Sequence, residues 1–151
     1  MKNAFIKILM TASLLAAGGY IGGALAHDGS AIVDAGGNNP SATDLAAVTC
    51  FDDGNGAPAY LFGQIRDNSP PVPGLLLNFQ IYKGNQMTSI TDTVSGDANY
   101  SQAVTLSGGP GVYYISASKT KAGLRAFDVT YHCLTSGNIH TGTELTVLQF
   151  Q

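Results

Sequence analysis

Apolar and polar residues alternate most cleanly between Leu75 and Tyr82. Leu75, Leu77, Phe79 and Ile81 share one face, and Leu76, Asn78, Gln80 and Tyr82 share the other, increasingly polar one. A period of two with one apolar face predicts a half-buried strand. Phe127, Val129, Tyr131 and Cys133 repeat the pattern against Asp128, Thr130 and His132. Tyr100, Val104 and Leu106 fit a third strand, although Gln102 interrupts its apolar face, and 112–119 fits a fourth. Weaker alternation marks 44–51, 59–66, 87–94 and 143–150.

Turn chemistry separates these segments. Asp52-Asp53-Gly54-Asn55-Gly56, Lys83-Gly84-Asn85, Ser95-Gly96-Asp97, the run from Ser107 to Gly111, and Ser136-Gly137-Asn138 are all turn formers. The prolines at 70, 71 and 73 cannot extend a central strand, because proline lacks the ladder N–H. Outside the first 26 residues no window keeps a period of 3.6. About eight short strands at this spacing predict an all-β chain, an antiparallel β-sandwich.

The first 26 residues follow a different rule. Lys2 and Lys7 precede an apolar run from Ile8, which ends in Ala24-Leu25-Ala26. Basic start, apolar centre and small terminal residues predict a signal helix cleaved after Ala26. Residues 27–43, rich in Gly, Asn, Ser and Asp around the triplet Ala31-Ile32-Val33, read as a flexible N-terminal arm, with at most one docking strand. The expected organisation is therefore 1–26 signal peptide, 27–43 arm and 44–151 β-sandwich domain, in a chain exported to the periplasm or the cell exterior.

Composition narrows the functional classes. Only 11% of residues are charged, against roughly 25% in ordinary soluble domains. Losing Lys2 and Lys7 leaves five basic residues against ten acidic ones, a net charge of −5. That balance offers no footprint for nucleic acid and no attraction to anionic lipid, so no membrane partner is expected after signal cleavage. Cys50 and Cys133 are the only cysteines; an even count in an exported chain predicts a disulfide between the first core strand and the penultimate one. Glu144 is the only glutamate, and no nucleophile elbow, phosphate loop or dinucleotide fingerprint is present. Asp52 to Gly56 lacks the alternating ligands of a calcium loop and reads as a turn. The chain is therefore expected to be non-enzymatic, with no catalytic residues.

The stretches LLLNFQIYKGN, SITDTVSGDANYS and GGPGVYYISASKTKAGLRAFDVTY resemble the β-sandwich accessory modules of secreted bacterial proteins, of pre-peptidase C-terminal or immunoglobulin-like type. The resemblance implies a structural or binding role: adhesion, assembly or contact with a polymer or protein partner. Self-assembly would run through the arm, whose triplet can add a strand to a neighbour's sheet edge.

Three histidines, His27, His132 and His140, carry the remaining candidate chemistry. Cleavage after Ala26 would make His27 the first residue, with an α-amine and an Nδ1 placed to chelate one ion. A further imidazole completes a nitrogen set suited to Cu(II). His140, in a loop before the last strand, is the first choice for it. His132 has the opposite parity to Cys133 and is expected on the outer face, solvated beside Asp128 and Thr130. Asp28 offers an axial or outer-shell oxygen. An initial histidine and a late Asn138-Ile139-His140 resemble the periplasmic copper-resistance C-type proteins, although Asn138 stands where those carry an acidic residue. That resemblance implies a copper-binding alternative to the accessory-module role.

Overall fold

The computed structural model describes residues 27–151; the signal segment expected over 1–26 lies outside the described residues. Nine strands and no helix occur among the described residues: β1 (His27–Val33), β2 (Thr43–Phe51), β3 (Tyr60–Asp67), β4 (Leu77–Lys83), β5 (Gln86–Thr91), β6 (Val104–Ser107), β7 (Gly111–Lys119), β8 (Arg125–Leu134) and β9 (Gly142–Gln149). They form two antiparallel sheets, one in the order β1-β8-β3-β6 and one in the order β5-β4-β7-β2-β9.

The alternation seen in the sequence sets the inward faces. Leu77, Phe79 and Ile81 of β4 meet Leu61 and Ile65 of β3 and Tyr113 of β7 in one core. Between them, Asn78 and Gln80 stay half-exposed on the outer face. Cys50 on β2 and Cys133 on β8 are bonded, with Cα atoms 5.5 Å apart, and so tie the two sheets together. The sandwich and its disulfide are as expected.

At 27–43 the arm carries the one docking strand allowed for it, and that strand runs beyond the triplet Ala31-Ile32-Val33. Rather than standing outside the core, His27–Val33 pairs along its whole length with β8, from His27 opposite Tyr131 to Val33 opposite Arg125. Val33 is fully buried. Without β1, the hydrogen-bonding edge of β8 would be open, and covering it satisfies a row of backbone groups. Ser30 donates to Asp128, and Thr130 donates to Asp28, across the same pair. The Gly/Asn-rich turn beyond β1 is tied down as well. Asp34 accepts N–H bonds from Asn38, Asn39 and Gly123 and pairs with the buried Lys119 ammonium at 3.0 Å.

Two expected strands are shorter than their patterns. β6 begins only at Val104, and Tyr100 keeps a lone bridge to Arg66. β5 stops at Thr91 because Asp92 turns inward and accepts the backbone N–H groups of Asp67 and Val94.

Candidate metal centre

His27, His132 and His140 converge at one end of the four-stranded sheet. His27 opens β1, and the register sets it opposite Tyr131. His132 lies on β8 opposite Phe62, on the outer face, as its parity requires. His140 belongs to the β8–β9 connection and forms a backbone bridge with Leu134. Leu134 is two residues from His132 on the same face, so that bridge sets His140 alongside His132.

The connection is built to hold that position. The Thr135 hydroxyl accepts the N–H groups of Gly137 and Ile139, and Asn138 takes a left-handed conformation (φ 63°) that turns the chain. Tyr60 donates its hydroxyl hydrogen bond to Asn138. Thr141, immediately after His140, is completely buried, and its hydroxyl donates to the Gly56 carbonyl at 2.8 Å. The residues on both sides of His140 are therefore fixed to the fold.

The ring nitrogens face one another. His27 Nδ1 lies 3.3 Å from His140 Nε2, which lies 3.2 Å from His132 Nδ1. One nitrogen from each residue fits within a sphere of mutual distances no larger than 4.8 Å. Two imidazole nitrogens bound to one ion at about 2.0–2.1 Å, at a roughly tetrahedral angle, lie about 3.3 Å apart. The two short separations match that tetrahedral spacing and exceed by a few tenths of an ångström the roughly 2.9 Å between two nitrogens set at a right angle on a tetragonal ion. His27 stacks on His140 with ring centres 5.1 Å apart, and Phe62 stacks on His132 at 5.8 Å, which limits how far the rings can turn.

Electrostatics favour the metal-binding protonation state. Burial pushes the pKa of His132 down, the neighbouring His140 and His27 push it further, and Asp28 opposes them. Burial also lowers His140, with His27 adding to the shift and Asp53 opposing it. Neutral imidazole is the form that ligates metals, so lowering these pKa values lessens competition from protons.

The structure thus brings together all three histidines singled out in the sequence, and it revises one of them. His132 is on the expected face, yet it is half-buried against Phe62 and His140 rather than solvated. Asp28 is engaged by Thr130 and lies outside the convergent nitrogen set. Sequence reasoning missed Phe62 and Tyr131 as flanking rings; the alternation of β3 and β8 contained the signal, but only their register reveals it. No family model, curated protein or solved structure matches this chain.

Proposed function

We propose that the chain is an exported, non-enzymatic β-sandwich that binds a transition-metal ion, with copper as the preferred metal, through His27, His132 and His140. The observation that carries this reading is the convergence of three imidazole nitrogens from distant parts of the chain. Both cysteine sulfurs are committed to the disulfide, so the donor set is nitrogen without thiolate. Among divalent first-row ions, Cu(II) heads the affinity order for such a set. His27 contributes its Nδ1, the ring nitrogen that closes a chelate with the same residue's backbone nitrogen. Removal of the leader after Ala26 would turn that backbone nitrogen into a free amine and a fourth donor. A disulfide, and the lack of any described helix long and apolar enough to cross a membrane, are compatible with export.

Partner contact through a free arm has less support, because β1 is already paired within its own chain. The test is a Cu(II) titration of protein beginning at His27, followed by electron paramagnetic resonance. One equivalent should give a nitrogen-rich spectrum. His140→Ala should weaken binding by more than about 100-fold, beyond the 10–100-fold typical of an outer-shell change, because its Nε2 lies between the other two nitrogens. His132→Ala should weaken binding less, and an extra residue before His27 should change the spectrum. Absence of stoichiometric binding would end the proposal.

A further inference from the structure

β1 and β9 are edge strands of the two facing sheets, and between them a groove of about 80 Å³ enters the core. Its walls are almost wholly apolar and include Ala31, Ala46, Ala117, Leu145 and Val147. Small side chains from both sheets leave the space open where larger ones would close it. Ser30, Ser116 and Gln149 also line it, and Asp44 is its one charged residue. Asp44 on β2 points inward and is only 6% exposed. One carboxylate oxygen, Oδ1, accepts the Gln151 N–H at 2.9 Å. The other, Oδ2, is buried without a hydrogen-bond partner.

An unpaired carboxylate oxygen in an apolar wall is costly, and the buried cations are engaged elsewhere. Lys119 pairs with Asp34, and Arg125 pairs with Asp67. Burial accordingly raises the Asp44 pKa, with the Gln151 bond opposing it. We infer that the groove binds a small aliphatic primary amine, its ammonium donating to Asp44 Oδ2 and its alkyl tail lying against the alanines. Charge selects the head: a carboxylate acceptor bonds an ammonium more strongly than a neutral hydroxyl, and it repels an anion. Size selects the tail: the volume is about half that of a cavity that takes a benzene ring, which suits a short chain entering end-on. None of the three histidines lines the groove, although Tyr131 borders both it and His27, and the amine reading stands without the metal one.

The test uses the purified protein with a chelator present, so that the histidine cluster is metal-free. Backbone amide NMR is recorded while n-butylammonium, 1-butanol or butanoate is added. Butylammonium should give saturable shifts centred on Ala46, Ala117 and Leu145, with butanol at least about tenfold weaker and butanoate without effect. Asp44→Asn retains an acceptor for Gln151 and should cut amine affinity at least about tenfold. Ala46→Leu, which fills the groove, should abolish binding while leaving Asp44 in place. Equal binding of amine and alcohol, undiminished amine binding by Asp44→Asn, or shifts confined to the histidines would overturn the inference. The comparison of the three ligands decides the matter on the unaltered protein, even where a variant fails to fold.

Discussion

Asp34 shows how one side chain converts a glycine-rich turn into ordered structure. It ends β1 in a left-handed conformation (φ 57°) and lies buried against Lys119. Burial alone would raise its pKa; the N–H groups of Gly123 and Asn39 and the Lys119 ammonium overcome that and hold the carboxyl well below its usual range. A carboxyl depressed on folding stabilises the native state fully above its unfolded pKa, near 3.8, and loses that contribution as the pH falls through the folded value. Asp34→Asn should therefore lower the melting temperature at neutral pH, where it also strands a buried ammonium. The gap from the parent should narrow as the pH drops below about 3.8, as thermal melts followed by circular dichroism would record. A gap independent of pH would mean that the carboxylate charge is not what the turn uses. None of this was legible in the sequence, where Asp34 looks like one more turn former among Gly, Asn and Ser. His27 and His140 were legible because exposure of a first-residue histidine and a late loop histidine is a chemical pattern. His132 was legible only as the second choice, because strand parity names its outer face and cannot say that Phe62 and His140 pack over it.

At the level of strands, residues read in the sequence as alternating segments became β2 to β9, since a period of two survives wherever one face is buried. β1 was read only as a docking triplet, Ala31-Ile32-Val33, because its first half carries Asp28, Gly29 and Ser30 and its one fully buried apolar residue is Val33. Its partner, β8, lies about a hundred residues away, and no local pattern points across that distance. Two further elements make measurable claims. β3 passes so close to β4 that a Cβ on Gly63 would lie 2.5 Å from the Phe79 ring. Gly63→Ala should cost about 1–3 kcal/mol through overpacking, read as a lower urea midpoint with an unchanged slope. A neutral result would mean that β3 and β4 are spaced more loosely than the ring contact indicates. The disulfide joins β2 to β8 across a separation of 83 residues. Replacing both cysteines by alanine should remove up to about 4.5 kcal/mol of stability, the loop-closure value for a link of that span. A loss below about 1 kcal/mol in urea unfolding would show that the sheets hold together without the link.

For the whole molecule, the order of strands in each sheet is the quantity that sequence periodicity cannot supply, and the histidine cluster depends on it entirely. His27 and His140 are 113 residues apart in the chain and touch only because β1 lies beside β8 and the β8–β9 connection folds back over the same end. An ion at the three rings would thus join β1, β8 and that connection, and through β8 and its disulfide the opposite sheet. Such an ion binds the folded chain and not the unfolded one, so at a free concentration of about a thousand times Kd it adds about 4 kcal/mol to stability. The distribution of that effect is more telling than its size. β1 and β5 are both edge strands, each paired on one side only, and edges open locally before the whole fold does. Opening β1 withdraws His27 and must first release the ion, whereas opening β5, at the far edge of the other sheet, leaves the cluster intact. Hydrogen exchange should therefore slow by about a thousandfold at β1 amides on saturation with Cu(II), while locally opening amides of β5 exchange at an unchanged rate. Equal slowing at both edges would place the ion elsewhere, and no slowing at β1 would separate His27 from the binding site.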